Sequence, residues 1–276
     1  MAGRPAREHL LTSVQMARFV AHGYLCLDGV VPQDINAQAL DMLPTGVPAV
    51  PYATPVDEAY PEGHFARDVI ELPAVAGALR SLVGPDPMVD YHTVHIRPPE
   101  EEHAQALHAD GMIDVRRDTF DIQLMYYPSE VTLDAGTTLL VPGSHLRRTN
   151  ESDPGRYQNL RGQHRLVCSA GSVALLDHRL WHCGRRNDTA TTRHMFKIRF
   201  NPTVPQVRLW NTDDLDDPAV VEELRTGFPW YEQATRRLEH VNRIRLWRAM
   251  TGDPDFDLNR LLTRVTKRPG RTAARA

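Results

Sequence analysis

The chain has 276 residues, 41% of them hydrophobic, enough to bury one substantial core and within the range that all-β barrels and sandwiches occupy as single domains. A formal net charge of −3 and a pI near 6.5 give no field that would gather nucleic acid or an anionic membrane, so a small molecule is the expected partner. Three scattered cysteines, Cys26, Cys168 and Cys183, make a poor disulfide framework and suit a reducing, cytoplasmic setting. No apolar signal core opens the sequence, and no stretch reaches the roughly 18 uninterrupted apolar residues of a membrane span.

In chain order, Thr12 and Gln15 read as a capping box for a helix whose apolar stripe runs through Val14, Ala17, Phe19 and Val20 and stops at Gly23. Tyr24 to Leu27 is a short apolar run, and Pro32 opens a second helix through Ile35, Ala39 and Leu43. Residues 44–61 are proline-rich and irregular. From Met88 the pattern becomes β-like, with expected strands at 88–97, 105–113, 119–127, 137–141, 164–176, 180–184 and 193–201, which suggests a sandwich or barrel. Helical spacing returns after Pro218 and again from Trp230 to Trp247. The expected organisation is a single domain over 1–276: a helical region at 8–87, a β core at 88–203, a helical extension at 204–265 and a disordered tail at 266–276.

The segment Ala106-Leu-His-Ala-Asp-Gly-Met112 carries the first chemical signal. Residues two apart on a strand share a side, so His108 and Asp110 could reach one metal, and an imidazole with a carboxylate suits iron(II). Alone, His-x-Asp is commonplace and a surface turn explains it equally well. A third ligand is available at His182, between two strand-like runs, with His178 four residues earlier as a rival. Two histidines and one carboxylate form a facial triad with open coordination positions, whereas a structural zinc site is closed by four ligands. Arg193, eleven residues after His182, has a guanidinium able to grip a carboxylate through two parallel bonds. Asp121, Gln123, Met125 and Tyr127 share a strand face, where Gln123 could bond a carboxylate at the metal or be a satisfied core group. Tyr91, Thr93, His95 and Arg97 alternate on the strand before it, which makes His95, with Met112, a candidate substrate contact. If Arg193 points inward, Met195, Lys197 and Arg199 follow it. Phe196, Ile198 and Phe200 then need cover from helices, unless a bulge intervenes between Arg193 and Phe196.

Gly136-Thr-Thr-Leu-Leu-Val-Pro-Gly-Ser-His145, preceded by His-x-Asp and followed by a distal His and Arg, resembles the signature of the phytanoyl-CoA dioxygenase family. The helix opening Leu11-Thr-x-x-Gln15 and the run Gly23-Tyr-Leu-Cys-Leu-Asp-Gly29 are also similar to the start of such proteins, so the resemblance covers about residues 8–203. It implies an all-β core with flanking helices, folded as a double-stranded β-helix, a cupin-like jelly roll of two facing antiparallel sheets with the metal at one mouth. It further implies Fe(II) on His108, Asp110 and His182, 2-oxoglutarate as co-substrate anchored by Arg193 with help from Thr138, and O2 as oxidant. The implied outcome is hydroxylation or another oxidation of a small molecule, and Asp110 argues against a halogenase, in which halide takes the carboxylate's place. Pro142-Gly-Ser-His145 reads as a structural turn in which Ser144 bonds its own backbone, not as a ligand set. Two other classes fit the same scaffold: a cupin-like metalloenzyme that does not use 2-oxoglutarate, and a non-catalytic small-molecule-binding protein. The family accepts acyl-CoA thioesters, amino acids and natural-product intermediates; no basic cluster here is dedicated to nucleotide phosphates.

Overall fold

The structure, a computed structural model, describes residues 6–111, 116, 118–147, 159–232 and 236–258. Met112 and the tail at 266–276 lie outside the described residues.

Helix α1 spans Ser13–His22. Thr12 caps it by accepting from the Gln15 N–H, and the Gln15 side chain accepts from the Thr12 N–H in return. Gly23 ends it at φ 84°, and a Cβ there would overlap His145 as well as adopt a conformation that L side chains rarely hold. Strand β1, Tyr24–Leu27, follows, then α2, Gln33–Met42, with Pro32 as its N-cap. The proline-rich stretch contains the short strand β2, Thr54–Pro55, and one turn of helix, α3, Val56–Ala59. Helices α4, Phe65–Glu71, and α5, Pro73–Val83, complete the N-terminal layer.

The β core holds β3, Met88–Arg97; β4, Ile122–Tyr127; β5, Thr138–Leu140; β6, His164–Leu166; β7, Ser172–Asp177; β8, His182–Gly184; and β9, Arg193–Asn201. Six strands form the larger sheet in the order β1-β7-β4-β9-β3-β2, and β6-β5-β8 form the smaller one. The named pairings are all antiparallel. The larger sheet thus recruits β1 and β2 from the region expected to be helical, because Tyr24–Leu27 finds a free edge on β7. The apolar run at 164–176 splits into β6 and β7 around Gly171, whose φ is 79° and whose neighbour Ser169 is tied to the Asp28 carboxylate.

Of the strand expected at 105–113, the described part, 105–111, does not form a strand. Gln105 N–H donates to the Gly184 carbonyl, His108 and His182 exchange both backbone bonds, and Gly111 N–H donates to the His178 carbonyl. These bonds do not follow one register, so a single bridge forms at His108 and the chain turns at Asp110 and Gly111.

Alternation decides what faces the barrel interior. Phe196, Ile198 and Phe200 of β9, with Leu124 and Tyr126 of β4, pack with α1, α4 and α5 in the main core, and each contributes about 1.5–3 kcal/mol by burial. Met195 faces the other way with Met125, Tyr127 and Leu176. The β3–β9 register is unbroken from Tyr91 to Arg97, so helices rather than a bulge cover the aromatic face; the register shift lies at Val89/Tyr91. Helices α6, Pro218–Arg225, and α7, Arg236–Thr251, close over α1. Among the described residues no helix is long and apolar enough to cross a membrane.

Candidate active site

His108, Asp110 and His182 come together: one ligand atom from each lies within 4.8 Å of the others. His108 Nε2 is 3.6 Å from Asp110 Oδ1, His182 Nε2 is 3.7 Å from Asp110 Oδ2, and the imidazole centroids are 4.5 Å apart. Both rings are oriented by their own chain, since His108 Nδ1 lies 2.9 Å from the Ala106 carbonyl and His182 Nδ1 lies 2.9 Å from the Leu180 carbonyl. A carbonyl only accepts, so each Nδ1 carries a proton and each ring is held with its Nε2 edge toward Asp110. Burial pushes His182 down to about 3, which keeps it a neutral imidazole rather than a cation. His178 lies elsewhere, with Nε2 3.9 Å from Asp121 Oδ2 and 3.4 Å from an Arg199 nitrogen.

Asp110 is held by two further residues. Lys197, on β9, brings its Nζ to 2.9 Å from Asp110 Oδ2, and the Gln123 amide donates to the same oxygen. Burial alone would raise the Asp110 pKa; His182, Lys197 and the bonds from Lys197 and Gln123 outweigh it and keep the carboxyl ionised, well below its ordinary range. Gln123 is fully buried on β4, and it meets Asp110 rather than the Arg193 cleft. Lys197 was not singled out as a site residue; its signal was the alternation that turns it inward with Arg193.

Behind the histidines lies a narrow cleft lined by His95, His108, Thr138, His182, Arg193 and Lys197, with Met125 and Met195 as its apolar walls. Arg193 is 3% exposed. Its Nη2 donates to the Gly136 carbonyl at 2.7 Å, while Nε and Nη1 are buried without an acceptor among the described residues. Thr138 Oγ1 lies 2.8 Å from the hydroxyl of Tyr127, whose ring is 5.8 Å from the Arg193 guanidinium. Burial pushes Tyr127 up to about 12, so it remains a neutral phenol. His95 is pushed down to about 4 by burial, with Lys197 and Arg193 adding to it, and its Nε2 has no partner.

Two turns deliver His182. Asp177, at the end of β7, accepts from the Arg179 N–H at 3.0 Å and from its guanidinium at 2.9 and 2.6 Å, and Leu180 N–H closes the turn on the Asp177 carbonyl. In the Pro142–His145 turn, the Ser144 N–H donates to the Val141 carbonyl while its hydroxyl accepts the Trp181 N–H at 2.9 Å, so this turn braces the residue before His182. His145 is buried, with Nε2 3.2 Å from the Val20 carbonyl and away from the metal-ligand cluster.

The family described as phytanoyl-CoA dioxygenase (PhyH) matches residues 19–195. The chain is 31% identical over 124 residues to the uncharacterized protein Rv1501 of Mycobacterium tuberculosis, and 29% identical over 128 residues to the dioxygenase af480 of Aspergillus fumigatus. These matches span 43% and 45% of this chain, and only 43% and 40% of the respective relatives. Among solved structures, HygX from Streptomyces hygroscopicus with nickel and 2-oxoglutarate bound superimposes at TM-score 0.53 with 18% identity, over 80% of this chain and 97% of HygX. EctD from S. alaskensis with bound Fe superimposes at TM-score 0.54 with 20% identity, over 68% of this chain and 75% of EctD. The fold is therefore that of the double-stranded β-helix oxygenases. With 19–195 covering most of the chain, from α1 through the cluster at Asp110 to β9, the protein belongs to the phytanoyl-CoA dioxygenase family.

Proposed function

We propose that this chain is an Fe(II)- and 2-oxoglutarate-dependent dioxygenase that oxidises, by hydroxylation in the first instance, a small molecule. The observation that carries this reading is the Arg193 guanidinium, buried at the end of the histidine-lined cleft with two N–H donors lacking an acceptor. A buried cation in that state is costly unless an anion completes it, and a carboxylate is an acceptor that does so through charge-assisted bonds. A cupin-like enzyme that uses no 2-oxoglutarate leaves Arg193 without that carboxylate.

The donor set fits iron(II): two imidazoles held through Nδ1 with Nε2 toward one ionised carboxylate, a set that would leave coordination positions for a co-substrate. Lys197 and Gln123 occupy Asp110 Oδ2, which leaves Oδ1 to bind the metal as a single oxygen. In this reading His108, Asp110 and His182 hold the metal, and Arg193 with the Thr138 hydroxyl holds the far carboxylate of 2-oxoglutarate. Gln123 and Lys197 act as positioning residues on Asp110. Iron(II) with 2-oxoglutarate and O2 supplies, when bound, the oxidant that removes hydrogen from an unactivated C–H bond as 2-oxoglutarate becomes succinate and carbon dioxide. The protein orients the co-substrate between Arg193 and the histidines, and the apolar walls Met125 and Met195 keep water from that path.

All three cysteines are free, and burial pushes the Cys26 and Cys168 thiols up to about 11 and 12, which supports a reducing, cytoplasmic setting. The test is anaerobic titration of the Fe(II)-loaded protein with 2-oxoglutarate, read by the visible charge-transfer band of the chelate, followed by succinate release on admitting O2. A protein that binds no iron(II), or binds it and gives neither band nor succinate, refutes the assignment.

A further inference from the structure

A second, larger cavity of about 530 Å3 opens on the other side of Asp110. The inward residues of β9 run from one space to the other: Arg193 and Met195 in the cleft, Lys197 against Asp110, then Arg199 and Asn201 in this cavity. Asp110 lines the cavity, so its contents lie beside the metal-ligand cluster. The volume lies within the roughly 300–1,000 Å3 of small-molecule sites.

Its walls mix polar and apolar groups, and the hydrogen-bonding capacity of the polar ones is unevenly used. Arg199 brings Nη1 to 2.9 Å from Asp90 Oδ2 and Nη2 to 2.6 Å from Asp121 Oδ2, and Arg116 lies 2.9 Å from that same Asp121 oxygen. The register shift at Val89/Tyr91 brings Asp90 into this set. Both guanidinium groups are thus engaged by buried carboxylates. What is left over is acceptor capacity: among the described residues, Asp121 Oδ1 and Asn201 Oδ1 are buried without a donor. Asp121 is fully buried, and although burial raises its pKa, the bonds from Arg116 and Arg199 outweigh that and keep it an acceptor-only carboxylate. Buried acceptors in this state are rare and are completed by a ligand or water. Met88, Pro202, Ala53 and the exposed ring of Tyr52 give the lining an apolar share comparable to the polar one.

We infer that this cavity receives the molecule to be oxidised, and that this molecule is a small hydrophilic compound whose hydroxyl or amino donors pair with Asp121 and Asn201. An acyl chain would leave both oxygens without donors, and the phosphates of a coenzyme A thioester would meet cations already engaged. This inference rests on the oxygenase reading above and deepens it.

The test is affinity selection on the anaerobic protein loaded with Fe(II) and 2-oxoglutarate. The mixture combines amino sugars, aminocyclitols, polyols and free amino acids with fatty acids, acyl-CoA thioesters and terpenoid alcohols, and retained compounds are read by mass spectrometry. Retention should come from the hydrophilic group and fall roughly tenfold or more in Asp121→Asn, which removes a charged acceptor. Because Asp121 is buried and could be needed for folding, Ala53→Trp supplies a second variant at an exposed rim position; it should also abolish retention by filling the opening. Retention of thioesters or apolar compounds, no retention from the hydrophilic group, or retention unchanged in both variants overturns the inference. The charge-transfer band separates the two readings: if it forms while the hydrophilic group is not retained, only this inference fails, and if it never forms the oxygenase reading fails first.

Discussion

Replacing Arg193 with methionine separates the energetic burden of a carboxylate grip from its use. In the ligand-free protein the guanidinium keeps one hydrogen bond, to the Gly136 carbonyl, and buries Nε and Nη1 without acceptors. Each orphaned donor costs about 1–3 kcal/mol, while the bond that is kept contributes about 1 kcal/mol, and losing it leaves the Gly136 carbonyl short of a donor. Methionine has a similar length and no donors, so Arg193→Met should leave the ligand-free protein unchanged or more stable by about 1–2 kcal/mol. At this chain length that is a rise in Tm of a few degrees, about 2–4 °C per kcal/mol. With 2-oxoglutarate the sign reverses. Truncating one side of a buried charged pair costs about 2–5 kcal/mol, or roughly 30- to 4,000-fold in Kd. Thermal melts of the metal-loaded proteins, with and without 2-oxoglutarate, read both effects. Co-substrate at 100 times the wild-type Kd should stabilise the wild type by about 2.7 kcal/mol and the variant by less than about 1 kcal/mol. A variant that melts several degrees low on its own yet keeps the wild-type response would refute the reasoning.

Four further outcomes are expected. His182→Ala should lose iron(II) binding while His178→Ala retains it, as measured by competition with a chelator; the reverse pattern would reassign the third ligand. Gln123→Leu removes one of the two donors on Asp110 Oδ2 and should weaken iron(II) by about 10- to 100-fold, since orienting partners of metal ligands typically matter that much. Asp177 is pulled from 3.8 to about 2, because Arg179's charge and bonds outweigh the burial that would raise it. Its contribution, about 2 kcal/mol, is therefore complete above pH about 4 and is lost as the pH falls through about 2. Asp177→Asn should be less stable at neutral pH and show a shallower decline between pH 4 and 2 in denaturant titrations. Gly23→Ala should destabilise by about 2–4 kcal/mol in urea unfolding, combining a left-handed backbone with overlap at His145, and an unchanged midpoint would contradict that packing.

Much of the fold was legible in the sequence because local rules and tertiary packing agree there. The capping box at Thr12, the stop at Gly23 and the strands 88–97 and 193–201 appear with the expected bounds, since period-two alternation and turn residues mark them without reference to neighbours. The segment around His108 was misread for a physical reason. Its alternation suits a strand, but backbone bonds to β8 fall out of register and only one bridge forms, so Asp110 reaches the histidines from a turn. Strand β1 was seen as an apolar run without an assigned partner, because pairing with β7 brings together residues some 150 positions apart. Gln123 was identifiable as an inward polar residue, but not its partner.

The residue types, their order and their spacing determined by themselves a β core with helices around it, a His-x-Asp segment with a distal histidine and arginine, and the family to which these point. Only the tertiary structure decided that His182 rather than His178 joins the pair, that Lys197 and Gln123 converge on one oxygen of Asp110, and that Arg193 is buried with donors to spare. Periodicity fixes which way a side chain points along its own strand. What it meets there depends on the register between strands and on the turns at 110–111, 142–145 and 177–180, which no single segment encodes.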